Sequence, residues 1–432
     1  MPDAHIRKTD NLPQLSLHIP EPRFRPGDAP DFSDIAVPAV GALSRPAESA
    51  TPAAMRDHAY GLVRVLEFDG SASGPWNPRL SPDRLRAMLR YMMLVRAFDD
   101  RMFRAQRQGK TSFYMKSTGE EAVSVAATMA LARDDMCFPS YRQQGILITR
   151  DYPLIDMMNQ IYSNRGDPLK GRQLPIMYSA KDYGFFSVSG NLATQYPQAV
   201  GWAMASAAKG DSRIAAVWCG EGSTAEGDFH SAMTFAAVYN APVILNVVNN
   251  QWAISSFSGF AGGERTTFAA RAVGYGIASL RVDGNDPLAV YAATQWASDR
   301  ARTDNGPTLI EHFTYRAEGH STSDDPSAYR AREEYAAWPF GDPVLRLKQH
   351  LIALGEWDEG RYAAQATELA DLVKASQKEA EKNGILGHGL HQPLASMFED
   401  VFEQLPPHLV EQREQMLAEQ TRKFGPKGRQ CQ

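Results

Sequence analysis

Two polar stretches at the ends of apolar runs carry the residue types most able to do chemistry. Glycine-flanked Glu221 closes the run RIAAVWC, and Asn249 and Asn250 close APVILNVV, with 26 residues between Gly222 and Asn249. A carboxylate and an amide oxygen on neighbouring strand ends are hard donors. Mg²⁺ takes such donors when phosphate oxygens and water complete its octahedron. The turn GEGSTAEG brings Gly220, Gly222 and Ser223, small residues that let backbone N–H groups approach an anion, and a helix start there would favour negative charge. Ser223 and Glu226 have the S-x-x-E spacing of a capping box, which places that helix start at Ser223. Glu221 and Asn250 are therefore candidates to hold a divalent cation that in turn holds a diphosphate. Turn chemistry alone also puts glycines and asparagines at strand ends, so the ordered combination is the signal, and neither half is by itself. Neither GxGxxG nor GxxxxGK[ST] starts at Gly220, which removes the main support for dinucleotide and P-loop readings.

His320 lies in the polar loop GHSTSDD, after a run ending at Arg316. Such a loop overhangs the strand ends, and an imidazole there is expected to give or take a proton near neutrality. Isolated, it would read as ordinary surface.

The elements that must position these residues are legible in the apolar pattern. RIAAVWCG, APVILNVVNN, IASLRVDG and PTLIEHFTYR are short Val, Ile and Leu-rich runs without polar alternation, as in buried parallel strands. EGDFHSAMTFAAVYN and DPLAVYAATQWASDRAR between them read as crossover helices. The expected fold is α/β, a doubly wound, mainly parallel sheet with helices on both faces. A long amphipathic helix is expected from SPDRLRAMLRYMMLVRAFDDRMFRAQRQG and a second from STGEEAVSVAATMALA. Nine of the 27 prolines fall within residues 1–57, so residues 1–75 read as an extended arm rather than a helix. Leu15, Leu17, Ile19, Phe24, Phe32 and Ile35 would lay it on a partner surface, the alternative being a disordered tail. Residues 76–345 then form the α/β domain and 346–432 a helical extension.

Composition narrows the function. A net charge of −5 from 45 basic and 50 acidic residues, mixed along the chain, gives no footprint for nucleic acid. Cys137, Cys219 and Cys431 have no metal or disulfide spacing and suit a reducing compartment. No run nears the ~18 apolar residues of a membrane span, and the first residues lack signal or transit character, so a cytoplasmic protein is expected.

Further stretches sharpen the reading. GEG-x26-NN resembles the metal and diphosphate motif of thiamine-diphosphate enzymes, usually written with GDG. SFYMKSTGEEA, PSYRQQG, KGRQLPIMY, GNLATQYPQAVGWA, RVDGNDPLAVY and YRAEGHSTSDDPSAYR resemble the α subunit of the decarboxylase component of 2-oxo acid dehydrogenase complexes, the branched-chain type above all. The likeness runs from about Ser81 to Phe340, and more loosely through LASMFEDVFEQLPPHLVEQREQ.

This resemblance implies a thiamine-diphosphate-binding fold. It implies Mg²⁺ held by Glu221, Asn250 and the backbone carbonyl of Trp252, with Gly220, Gly222 and Ser223 beside the diphosphate. Tyr141 and Arg142 match phosphate contacts, a role that suits a guanidinium fork. Leu192, which alone would read as core, matches the residue packed under the bent cofactor. His320 matches a diphosphate contact that assists acyl transfer to a lipoyl arm. Ser189, Asn191, Thr194 and Gln195 match a K⁺ site, although Gly190-Asn191 stands where the family usually has Ser-Pro. Phe113 matches a wall of a branched aliphatic pocket. Val248 replaces a phosphate-binding arginine, and Ser321 and Ser323 match positions phosphorylated in some eukaryotic members. The implied activity is oxidative decarboxylation of branched-chain 2-oxo acids with reductive acylation of a lipoyl domain. Pyruvate or acetoin is the alternative substrate, and a non-catalytic assembly subunit the alternative class. The implied partners are a β subunit, in an α2β2 heterotetramer, and a lipoyl acyltransferase core.

Overall fold

The computed structural model describes residues 16–425, so Leu15 and Cys431 lie outside the described residues. Among the described residues there are seven strands: β1 Met136–Phe138, β2 Ala215–Gly220, β3 Val243–Asn249, β4 Trp252–Ala253, β5 Ser256–Phe257, β6 Ala278–Asp283 and β7 Thr308–Phe313. Five form a parallel sheet in the order β1-β2-β3-β7-β6, and β4 and β5 form a small antiparallel hairpin. The four apolar runs of the sequence are β2, β3, β6 and β7. The three-residue β1 is too short to show a period.

The missing polar alternation has a direct cause. Ala216, Trp218, Ile244, Val248, Leu280, Val282 and Ile310 pack into one core with helices Pro82–Arg107, Glu121–Ala130 and Pro287–Arg302. Their strand neighbours Ala215, Val217, Cys219, Val243, Leu245, Val247 and Leu309 pack into a second core with helices Gln195–Ala208 and Gly227–Val238. Successive strand residues point to opposite faces, and both faces are covered, so apolar residues are favoured at every position.

Caps set the helix starts. Ser81 accepts from Arg84 N ahead of Pro82–Arg107, and Asp286 accepts from Leu288 N and Ala289 N at 3.1 Å ahead of Pro287–Arg302. The capping box expected at Ser223 is not formed. Glu221–Ala225 is a 3₁₀ turn, Glu226 N donates to the Ser223 carbonyl at 3.2 Å, and the α-helix begins at Gly227 without a side-chain cap. An N-cap needs extended backbone, whereas Ser223 is already turned inside the 3₁₀ segment.

Part of the proline-rich arm is anchored on its own chain. Phe32 is buried with its ring 5.4 Å from that of Trp338, and Phe24 and Ile35 pack against the same aromatic cluster. Carbonyl oxygens of the arm accept from buried side chains: Ser44 from Trp76 Nε1 at 3.1 Å, Pro46 from Trp296 Nε1 at 2.9 Å, and Glu48 and Ala50 from Arg300 Nη1 at 2.6 and 2.7 Å. Leu17 and Ile19 remain exposed. At the other end, helix Glu359–Glu381 lies against Pro82–Arg107, with Arg90 bidentate on Glu368. No helix of the described residues is long and apolar enough to cross a membrane.

Candidate active site at the strand ends

The sheet register levels the carboxyl ends of its central strands. Gly220 pairs with Val248, and Asn249 with Phe313. Ligands of open α/β sheets bind in the crevice outside such ends. Here that crevice is a cavity of about 320 Å³ lined by Glu120, Tyr141, Arg142, Leu192, Gly220, Glu221, Gly222, Ser223, Val248, Asn250, Trp252 and His320, with the hairpin residues Ile254, Phe257 and Phe260 on its rim.

Glu221 stands at the centre of the polar wall. It is buried, its Oε2 accepts from Asn250 N at 3.4 Å, and its Oε1 has no hydrogen-bond partner. Burial raises its pKa to about 7, against the pull of the Arg316 charge. Asn250 Oδ1 accepts only from Trp252 N, at 3.2 Å. The donor set is thus a buried carboxylate oxygen without a partner, an amide oxygen and the Trp252 carbonyl, whose second lone pair is left when Arg316 Nη1 donates to it at 2.8 Å. These are hard oxygens suited to Mg²⁺. Among the described residues no three or more His, Cys, Asp or Glu side chains gather to hold a metal, so phosphate and water would have to supply the remaining ligands.

Arg142 and His320 also line the cavity, and Arg316, outside that lining, reaches His320. Arg142 Nη2 donates to the His320 carbonyl at 3.0 Å and lies 3.4 Å from His320 Nδ1, and Arg316 Nη1 lies 3.4 Å from the same nitrogen. A guanidinium cannot accept, so Nδ1 is the acceptor and the imidazole proton sits on Nε2. Burial, reinforced by Arg142 and Arg316, lowers the His320 pKa to about 3. This corrects the expectation of a histidine titrating near neutrality: the ring is held neutral. His320 N donates to Asp324 Oδ2 at 2.6 Å, as does Tyr329 OH, which orders the loop containing Ser321 and Ser323.

Other expected residues distribute unevenly. Leu192 is 46% exposed at the cavity rim, against its reading as core. Ser189, Asn191, Thr194 and Gln195 lie beside it but outside the cavity lining; Gln195 Nε2 donates to the Trp218 carbonyl at 2.7 Å and its Oε1 is buried without a partner. Phe113 packs against the main core and does not line the cavity. Two residues of the site escaped sequence reasoning. Glu120 is buried, accepts from Asn250 Nδ2 at 2.8 Å and lies 3.6 Å from Arg142 Nε, while Arg316 ties the hairpin to the histidine loop by donating to the carbonyls of Trp252 and Ile254. The paired acids of STGEEA were the available signal for the first. An arginine three residues beyond a buried strand was the signal for the second.

Comparison with known proteins gives the family. Residues 89–388 match the family model described as dehydrogenase E1 component, and residues 13–53 match that described as 2-oxoisovalerate dehydrogenase E1 alpha subunit N terminal. The chain is 60% identical over 402 residues to 2-oxoisovalerate dehydrogenase subunit alpha of Pseudomonas aeruginosa, covering 93% of this chain and 98% of that one. It is 40% identical over 359 residues to the mitochondrial 2-oxoisovalerate dehydrogenase subunit alpha of Mus musculus, and 39% identical over the same length to that of Homo sapiens, covering 82% of this chain and 79% of each. Matched along most of its length by the family model and almost end to end by a relative, the chain belongs to the dehydrogenase E1 component family, among its α subunits.

Proposed function

We propose that this chain is the α subunit of a branched-chain 2-oxo acid dehydrogenase decarboxylase component, acting oxidatively on 3-methyl-2-oxobutanoate and similar acids and passing the acyl group to a lipoyl domain. The observation that carries the reading is the buried, unpartnered Glu221 Oε1 in a strand-end cavity that Arg142 and His320 also line. Family membership implies thiamine diphosphate, which when bound supplies the carbanion that attacks the 2-oxo carbon and the ring that takes up the electrons released with carbon dioxide.

The chain's own residues would bind, orient and exclude. Glu221, Asn250 and the Trp252 carbonyl would hold Mg²⁺. The leading N–H groups of the 3₁₀ turn at Gly222 and Ser223, with Arg142, would hold phosphate oxygens. Neutral His320, with its proton on Nε2, offers a donor to a diphosphate or substrate oxygen. Leu192 would support the cofactor between its rings. The unpartnered Gln195 Oε1, with Ser189, Asn191 and Thr194, would hold K⁺. An α subunit implies a β partner, and the exposed Leu192, Ile254 and Phe260 at the cavity rim support a site closed by that partner. The assembly would be an α2β2 tetramer on a lipoyl acyltransferase core in the cytoplasm.

The reading is tested by co-expressing the chain with its β subunit and comparing 3-methyl-2-oxobutanoate with pyruvate in the presence of thiamine diphosphate and Mg²⁺. A preference of roughly 10–200-fold for the branched acid is expected, the range that methylene-scale differences in an apolar pocket allow. Preference for pyruvate would overturn the substrate. Inactivity of an assembled, cofactor-loaded tetramer with both acids would point to a non-catalytic subunit.

A further inference from the structure

Behind Trp252 the β4–β5 hairpin walls a second cavity of about 710 Å³, within the size range of small-molecule sites. It shares only Trp252, Phe257 and Ser258 with the active cavity, and none of the roles proposed above uses it. The proline-rich arm forms one side through Phe24, Phe32 and Ile35, and Arg281, Glu311 and Phe313 of β6 and β7 form another.

The charged groups lining this cavity are satisfied unequally. Every lining carboxylate has a donor. Glu311 accepts from Asn249 Nδ2 at 2.8 Å and Ala269 N at 2.9 Å, Glu334 from Trp252 Nε1 at 3.3 Å, Glu21 from Arg25 at 3.2 Å, and Glu264 from His18 at 2.8 Å. The lining guanidiniums differ. Arg23 pairs with Asp34, but Arg265 and Arg281 donate no hydrogen bond to the described residues. Arg281 is the better placed of the two. Its guanidinium lies 4.1 Å from the centre of the Phe313 ring and forms an ion pair with Glu311 through Nε, 3.5 Å from Oε1, while its two Nη atoms donate no hydrogen bond to the described residues. Five N–H donors in a planar fork, stacked on an aromatic face, match a carboxylate.

We propose that this cavity binds a small organic monocarboxylate with a branched or aromatic apolar body. The carboxylate sits on Arg281 and the body against Phe257 and Phe313. An amino acid is a poor fit, because Glu311, the carboxylate beside Arg281, is already the counter-ion of that guanidinium. Inorganic phosphate is a poor fit because it leaves the aromatic walls without an apolar partner.

The test uses the complex of this chain with its β subunit and 3-methylbutanoate, which has the branched body and carboxylate but no 2-oxo group to react. Saturation-transfer NMR should show it bound. Arg281→Gln should weaken binding at least tenfold, and so should Ile35→Trp, which fills the cavity from the arm side and leaves Arg281 in place. His320→Asn, in the active cavity, should leave binding unchanged. The proposal is overturned if 3-methylbutanoate does not bind, if both cavity variants bind it as wild type does, if His320→Asn removes it, or if valine or inorganic phosphate binds equally well. Decarboxylation is not the readout, so failure here leaves the proposed reaction untouched.

Discussion

Glu221 combines burial with an oxygen that no protein donor reaches, an arrangement that costs stability unless a cation completes it. Glu221→Ala should lose more activity than the ~10–100-fold that removing a group behind a metal ligand costs. Turnover measured across a Mg²⁺ titration checks this, and unchanged turnover would remove Glu221 from the metal site. His312 is a buried polar group whose Nδ1 likewise has no hydrogen-bond partner. Its Nε2 lies 2.9 Å from Asn246 Oδ1 inside the sheet, and burial lowers its pKa from 6.5 to about 3. Between those values the unfolded chain binds the proton and the folded chain does not. Stability is therefore fully present above about pH 6.5 and falls as pH drops toward 3, by roughly 1.4 kcal/mol for each unit of pH. Urea unfolding midpoints at pH 7.5 and 5 should differ less in His312→Gln than in wild type.

At the scale of elements, the 3₁₀ turn after β2 and the β4–β5 hairpin are pressed together. A Cβ added at Gly222 would come 2.5 Å from Ala253 Cβ, closer than the hairpin can accept without moving. Gly222→Ala should therefore displace the Trp252 carbonyl and lower turnover by on the order of a hundredfold, the cost of an ångström-scale misplacement. Its thermal midpoint should stay near wild type, since the hairpin tip is exposed at Ile254. Much of this element-level arrangement was legible beforehand. Gly220 to Ser223, Asn250 and His320 do meet in one cavity because each follows an apolar run that becomes a parallel strand, and parallel strands align their carboxyl ends. The turn geometry was not legible, because S-x-x-E describes both a capping box and a 3₁₀ turn and the backbone decides between them. Nor was the position of Phe113, whose aromatic character suits core and pocket alike. The His320 pKa depends on burial and on two guanidiniums that arrive from residues 142 and 316, and no local pattern announces their convergence.

For the whole molecule, the arm is part of the folded body. Deleting residues 1–57 would leave Trp76 Nε1, Trp296 Nε1 and the Arg300 guanidinium without their carbonyl acceptors, at ~1–3 kcal/mol for each buried donor. The truncated chain should therefore fail to give a stable fold. Phe32→Ala should cost ~3–5 kcal/mol, whereas Leu17→Ser, at a side chain 93% exposed, should stay within ~0.5 kcal/mol of wild type. Thermal unfolding of the three variants checks the ranking. The same contacts impose an order in time. Pro46 and Glu48 are made early, yet the Trp296 and Arg300 donors that fasten them lie 250 and 252 residues downstream. At translation rates of roughly 5–20 residues per second, the nascent arm waits on the order of tens of seconds for its acceptors to be used. The contacts to Trp296 and Arg300 thus close long after the arm is made, and Phe32 stays uncovered until Tyr315 and Trp338 have left the ribosome.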